Sequence, residues 1–434
     1  MSTAQRVQAS DAFFLYVESP ACPQLVGGVA ILDTSAVRPS RDDLVGVVRA
    51  QLPRLPRFRQ RLRPARWWRR PRWVEQPQLD WDWHVQVNEF AGLARTLDDG
   101  EPGLAALVAG IQATPLPLDR PMWRLVLVPG IGPGKAAAIL VAHHAIADGF
   151  GTILQAIRLL EGTDRARLPP LLATPSRPGR WAALHRAWDV VAGLAQLATD
   201  GRPDRRLPCS AGSAPWFGIV NLALAEVREL ASRHGAGITD VLLTAVAGAL
   251  RRASRHRVDE LRIAVPLVAR STSSDPEGNI TAGLIVDVPA DDRREADRLA
   301  EVVRRRGRLR QSSRVVASRF VVRWAGLLPV PMHAWFARTV YGGRHFHAIV
   351  TNIPGPDGQF SLAGSPLSQV YPIVPLAPGA PLAVGALSWN GSLGIGLTVD
   401  PALADVRELC NALVVVLDEL AAPDPRDLSG RTGR

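Results

Sequence analysis

Ala136-Ala137-Ala138-Ile139-Leu140-Val141-Ala142-His143-His144-Ala145-Ile146-Ala147-Asp148-Gly149 is the stretch whose reading decides the fold. The apolar run 136–142 reads as a buried strand, and residues 150–160, after the Asp-Gly pair, read as a helix. Strand, tight turn and helix in succession form the building unit of an α/β protein. Successive side chains on a strand point to opposite faces, so only one of the two histidines can enter a given cleft. An imidazole titrates near neutrality and is suited to take a proton from an alcohol, amine or thiol. Asp148 is placed to brace the turn, and Gly149 admits backbone conformations that a Cβ would penalise. A lone histidine here would read as a core residue. Two histidines, an aspartate and a glycine that agree on one geometry read as a functional turn.

The rest of the composition narrows the class. With 434 residues, 47% hydrophobic and 21% charged, the chain is long enough for two globular domains with substantial cores. Cys22, Cys209 and Cys410 are odd in number and far apart, which argues against a disulfide framework and for a reducing, cytoplasmic compartment. None lies in a CxxC pair or beside a histidine, so no metal site is expected. The polar start, residues 1–12, lacks the apolar core of a secretory signal. No apolar run reaches the roughly eighteen residues that span a bilayer. The nearest, residues 324–336 with Trp324, Trp335 and Phe336, is broken by Pro329 and Pro331. It reads as a buried helix-turn-helix corner in preference to a segment lying on lipid.

The formal net charge is +11. Its densest patch, residues 54–72, interleaves Arg54, Arg57, Arg59, Arg61, Arg63, Arg66, Arg69, Arg70 and Arg72 with Trp67, Trp68 and Trp73. A solvated arginine face, an anionic membrane and a phosphate-bearing ligand are all compatible with that pattern. No helix-turn-helix, zinc or RNA-binding motif accompanies it, which sets nucleic acid aside.

Two halves are expected: residues 1–165, carrying the histidine turn, and residues 216–425, with a polar tail at 426–434. A Pro-punctuated connection, 166–215, with one helix near residues 181–199, joins them. In the first half, strands are expected at 25–33, 73–75, 84–87 and 123–129, and helices at 41–52 and 104–113. In the second, helices are expected at 223–234, 238–252 (capped by Thr239-Asp240) and 406–420. Strands are expected there at 261–266, 280–288, 348–353, 382–389 and 393–399.

His143-His144-x-x-x-Asp148-Gly149 resembles the signature shared by chloramphenicol acetyltransferase-like enzymes, peptide-synthetase condensation domains and bacterial wax ester synthase/diacylglycerol acyltransferases. Further stretches resemble the last of these over most of the chain: Pro56-Arg57-Phe58-Arg59-Gln60-Arg61-Leu62, Trp73-Val74-Glu75 through Val85, and Pro117-Leu118-Asp119-Arg120-Pro121-Met122-Trp123. Gly278-Asn279, Thr351-Asn352-Ile353-Pro354-Gly355-Pro356 and Leu387-Ser388-Trp389-Asn390-Gly391 complete the series. Two stretches depart from it. The Asn-Asp pair expected at the long apolar helix is Thr239-Asp240, and the Leu-Asn-Gly stretch before the second half is replaced around residues 208–213.

The resemblance implies an α/β fold of two chloramphenicol acetyltransferase-like domains, mixed sheets flanked by helices, with an active-site tunnel between them. It implies transfer of a fatty acyl group from acyl-CoA to a lipid alcohol or diacylglycerol, with no further cofactor and no metal. His144 would be the general base and His143 would shape the strand end. Asp148 would point away from the cleft, held by Arg59 or Arg61, beside Gly149. Asn279 or Asn352 would donate to the developing oxyanion, and Asp240 would support the fold. Attachment to the inner face of the membrane or to lipid droplets fits the same resemblance. A condensation-type enzyme using a carrier-protein thioester is the competing reading, and a non-catalytic lipid-surface protein is a third.

Overall fold

The computed structural model describes residues 4–88, 102–162, 203, 206–210, 212–268, 281–310, 327–356 and 358–422. The expected helix near residues 181–199, most of the 166–215 connection, Trp324, Asn279 and the 426–434 tail lie outside them.

In chain order the first half comprises β1 (Gln5–Arg6), α1 (Ala9–Val17), β2 (Leu25–Asp33), α2 (Arg41–Gln51), β3 (Gln60–Arg63) and β4 (Arg72–Glu75). There follow α3 (Trp81–His84), β5 (Val85–Val87), α4 (Pro102–Gln112), β6 (Trp123–Gly132), β7 (Lys135–His143), α5 (Gly149–Leu159) and β8 (Glu161–Gly162). The second half opens with β9 (Trp216–Ala223), α6 (Leu224–Arg233), α7 (Ile238–Ala253), β10 (Glu260–Val268), β11 (Thr281–Pro289) and α8 (Glu295–Arg310). It closes with α9 (Val330–Val340), β12 (Ala348–Ile353), β13 (Phe360–Leu362), β14 (Ser365–Ile373), β15 (Leu382–Trp389), β16 (Ser392–Val399) and α10 (Val406–Ala421).

These strands build two large mixed sheets and a small one of order β1-β4-β3. The first large sheet runs β5-β6-β7-β2-β14-β13-β8 and the second β11-β10-β12-β15-β16-β9. The histidine strand is covered on both sides, which explains its unbroken apolar run. Ala136, Ala138, Leu140 and Ala142 enter the core shared with α2, Phe58 and Trp123. Ala137, Ile139 and Val141 enter a second core with Val108 of α4 and Phe217 of β9. The alternation is that of a strand.

The simple division into halves needs one correction. β13 and β14 come from the second half of the chain but pair into the first sheet, β14 lying antiparallel to β2 with Tyr371 opposite Val29 and Ile373 opposite Gly27. Pro366 and Pro372 inside β14 remove backbone donors, which hides this strand from a pattern reading. The strand also ties the two sheets together. A Cβ on Gly396 of β16 would lie 2.0 Å from the Pro372 carbonyl oxygen, so only glycine admits this crossing.

A second correction concerns residues 324–336. α9 buries His333 and Ala337 but presents its other face to solvent and is not a buried corner: Trp335 is 68% exposed and Met332 54%, with Leu327, just before the helix, 73%. Pro329 and Pro331 start the helix without burying it.

Candidate active site

β7 ends at His143, and the chain turns through a His143–Ile146 backbone bond before Asp148 starts α5. Asp148 is its N-cap: the carboxylate accepts from Gly151 N–H at 2.8 Å. An aspartate there satisfies an orphan donor and complements the positive end of the helix dipole.

The two histidines have opposite fates. His143 is fully buried. Its Nδ1 accepts from Ala145 N–H at 2.9 Å, so the ring proton resides on Nε2, which lies 3.2 Å from Glu18 Oε2. Glu18 is the residue just past α1, and its other oxygen accepts from Gln24 N–H at 3.1 Å. Burial is the largest influence on Glu18 and would push its pKa up. The hydrogen bond from His143, with that from the Gln24 N–H, outweighs it and holds the carboxyl below its ordinary value.

His144 is only half-buried. Its N–H donates to the Gln24 carbonyl at 2.8 Å, and its ring stacks on Phe14 with 3.6 Å between centroids and 14° between planes. One imidazole is thus locked inward as a positioning element, and the other is presented from a clamped backbone with its face against an aromatic ring. Neither Glu18 nor Phe14 was among the residues expected from sequence, although Phe14 lies in the apolar stretch that forms α1. Tyr341 packs edge-on to Phe14 at 6.0 Å. Tyr341 also lines a cavity of about 550 Å³ bordered by Trp335, Arg338, Gly342, Gly343 and Arg344.

Motifs distant in sequence support the same turn. Met122 accepts the His143 backbone N–H at 3.0 Å, and Trp123 donates from Nε1 to the Phe58 carbonyl at 2.9 Å while stacking on Phe58. His84 stacks on Trp123 with 4.3 Å between centroids, and burial, the largest effect, lowers its pKa to about 4.

Of the supporting arginines, Arg59 pairs with Glu75 at 3.8 Å, and Arg61 is half-buried on β3. The arginine of this run that the fold buries is Arg57, 3% exposed and stacked over Trp73, which nothing in the sequence pattern singles out. Its guanidinium also donates to Gln60 at 2.6 Å and Gln5 at 3.0 Å.

The second half meets the histidine turn through its late turn motif. A Cβ on Gly149 would touch Ile353 Cδ1 at 3.5 Å, and Gly355 N–H donates to Ser388 Oγ at 2.9 Å. Asn352, next to Ile353, turns its amide toward Thr239 Oγ1 at 3.5 Å. Thr239 is not the cap of α7; the cap is Gly237, whose N–H donates to Asp240 at 2.8 Å. Asp240 is buried and pairs with Arg306 at 2.6 Å, a structural role. Among the described residues no group of His, Cys, Asp and Glu is arranged to hold a metal ion.

Comparison with known proteins is consistent with this geometry. The wax ester synthase/diacylglycerol acyltransferase catalytic-domain model matches residues 7–200, and the corresponding C-terminal-domain model matches residues 277–421. A probable diacylglycerol O-acyltransferase of Mycobacterium tuberculosis is 25% identical over 436 residues, covering 92% of each chain. The solved wax ester synthase/diacylglycerol acyltransferase of Marinobacter aquaeolei superposes with a TM-score of 0.68 at 21% identity, over 96% of this chain and 98% of that one. The starter condensation domain of rhizomide synthetase, solved with C8-CoA, gives 0.60 at 16% identity, over 97% and 96%.

Proposed function

This chain belongs to the wax ester synthase/diacylglycerol acyltransferase family of O-acyltransferases, and we propose that it moves a fatty acyl group from coenzyme A to the hydroxyl of a lipid alcohol or diacylglycerol, with His144 as general base. The observation that carries the proposal is the contrast within the doublet: His143 is consumed by Ala145 and Glu18, whereas His144 is half-buried and backbone-clamped.

In the proposed reaction His144 takes the acceptor's proton as its oxygen attacks the thioester carbonyl. The tetrahedral intermediate collapses with cleavage of the C–S bond, and the imidazolium returns the proton to the thiolate. Ester and free thiol leave, and the base is regenerated. Asn352 is the proposed oxyanion donor among the described residues, and Asn279 remains a second from sequence. Such a donor contributes roughly 3 kcal/mol where it acts. Acyl-CoA serves as substrate, and no further cofactor is needed. Arg338 and Arg344, lining the cavity beyond Tyr341, supply positive charge for its phosphates.

The substrate partners are lipidic, and the surface fits their source. Between β3 and β4 the chain presents exposed Arg63, Arg66, Trp67, Trp68 and Arg69. Arg70 beside this loop contributes, after burial, to lowering the His333 pKa on α9, whose exposed Trp335 and Met332 lie beyond. α1 packs on α9, where Tyr16 meets His333 edge-on and accepts at its carbonyl from Arg338. We assign this face to an anionic lipid surface on the cytoplasmic side.

The decisive experiment is His144→Ala. Transfer should fall by about 10²–10⁴-fold with an unchanged melting temperature, and near-wild-type turnover would overturn the assignment. Offering acyl-CoA and acyl-carrier donors in the same assay separates this reading from carrier-dependent condensation.

A further inference from the structure

α1 makes one contact to each histidine of the doublet. Phe14 stacks on the ring of His144, and Glu18, four residues on and just past the helix, holds His143. The Glu18 N–H still donates to the Phe14 carbonyl, at 3.2 Å, so the spacing that brings residues i and i+4 to one helix face is kept as far as the cap.

Phe14 meets its other aromatic neighbours edge-on, Phe13 at 5.4 Å and 72° and Tyr341 at 6.0 Å and 82°. Neutral rings favour that arrangement, because the positive edge of one meets the negative face of the other. The His144 ring instead lies flat on Phe14, with 3.6 Å between centroids and 14° between planes. Carbons in contact sit roughly 3.5–4.0 Å apart, so this separation leaves little room for a sideways offset. Two neutral rings face to face set like quadrupoles against each other and gain little beyond dispersion. A cationic ring in the same place gains the attraction of a positive charge for a π face. The contact therefore discriminates between the two protonation states of His144. It favours the one that a general base reaches only on taking the proton. An interaction stronger at that point than before it lowers the barrier, whereas one equal in both states does not.

We propose that Phe14 is a positioning residue for the transfer reaction, whose π face fixes the plane of the His144 ring and stabilises the imidazolium that forms as the acceptor gives up its proton. The inference rests on the reading of His144 as general base, and Phe14 acts through His144 alone. Charged and titratable groups flank this turn on each element packed around it. Glu18 follows α1 and is held below its ordinary pKa, and Asp148 caps α5 through Gly151. Tyr16 on α1 is raised by burial, and its carbonyl engages Arg338 of α9. Cys22, before β2, is pushed up to about 12, chiefly by burial, and burial also raises Tyr341 after α9, so neither ionises near neutrality. A change in the acid limb of the rate profile on altering Phe14 is then read at His144, the titratable ring it stacks on.

The test replaces Phe14 with mono-, di- and trifluorinated phenylalanine, which keep the shape of the ring while weakening its π face, and with Leu, which removes the face. kcat, the pH profile of kcat/KM and the melting temperature are measured for each, with His144→Ala alongside. kcat should fall stepwise with the number of fluorines, and by about three- to thirtyfold in Phe14→Leu. The acid limb should move to lower pH, by up to roughly 1.5 units in Phe14→Leu, because an imidazolium without the π face loses its proton more readily. The fluorinated series decides alone should Phe14→Leu fail to fold. A series in which fluorine changes neither kcat nor the acid limb overturns the proposal, even where Phe14→Leu is impaired, since lost packing would account for that impairment. If His144→Ala abolishes transfer while the series is flat, the base stands without Phe14. If His144→Ala transfers normally, the base and the inference fall together.

Discussion

His143 Nε2 lies 3.2 Å from Glu18 Oε2, so a histidine at the end of a strand is held by the carboxylate that follows the first helix. The same carboxylate takes the Gln24 N–H, and Gln24 in turn takes the His144 N–H. Glu18 is therefore a positioning residue for the proposed base, acting through two intermediaries. Glu18→Gln keeps the shape but removes the charge. A misplacement near 1 Å lowers turnover by about 10²-fold, so kcat should fall toward that figure with donor KM little changed. A variant with wild-type kcat would show that the network does not orient His144.

The pH dependence of stability should have its own signature. His84 is buried against Trp123 with a folded pKa of about 4, against an ordinary 6.5. Its unfolded form binds a proton at higher pH than its folded form, so stability declines as pH falls from 6.5 to about 4 and the loss is complete below that. Two and a half pH units correspond to roughly 3 kcal/mol. Urea midpoints taken at pH 7.5 and pH 4.5 should differ less in His84→Gln than in the natural protein. Equal differences would mean that other groups govern the acid limb. Glu18, whose pKa is lowered, adds a loss of the same sign at lower pH.

The glycines make opposite predictions according to what surrounds them. Gly396→Ala would drive a Cβ to 2.0 Å from the Pro372 carbonyl, backbone against backbone where the two sheets cross. Overpacking of this kind costs about 1–3 kcal/mol, and activity should fall with stability because the crossing sets the two halves against each other. Gly46, in α2, has nothing within 4 Å of the place an added methyl would take, and alanine there should stabilise the helix by about 0.5–1 kcal/mol. Thermal melts of the two variants should shift in opposite directions.

The contrast between these positions shows what local sequence carried. Strands with continuous apolar runs, such as β7 and β15, and helices with clear caps, such as α2 and α5, were legible because each obeys its own period and termini. β14 was not, because Pro366 and Pro372 argue against a strand until β2 is seen beside it. The histidine turn was legible as a motif. Glu18 was not, since one glutamate after an apolar helix has no pattern of its own and acquires a role only when α1 folds beside the end of β7. The exposed face of α9 was misread for the opposite reason: tryptophan and proline near apolar residues are as compatible with a corner as with an interface, and only packing decides.

The lipid-facing surface gives the last prediction. Trp67, on the loop between β3 and β4, is 73% exposed, and Trp335, on the helix α9 that packs against α1, is 68% exposed. Large exposed aromatics among arginines have little reason to persist in water but gain on entering a headgroup region, while the arginines are attracted to anionic lipid. Each basic residue near such a surface adds about 1 kcal/mol and is screened by salt. Co-sedimentation with phosphatidylglycerol vesicles should therefore be strong at low salt, weaker at high salt, and weakest with neutral vesicles. Trp67→Ser with Trp335→Ser should reduce binding at every salt concentration, whereas Arg66→Gln with Arg69→Gln should chiefly flatten the salt dependence. Turnover of a short, water-soluble alcohol should be unaffected in the arginine pair, which belongs neither to the histidine turn nor to the cavity that Trp335 borders. Vesicle binding equal to the natural protein in both double variants would remove this face from consideration and leave its tryptophans without a lipid role.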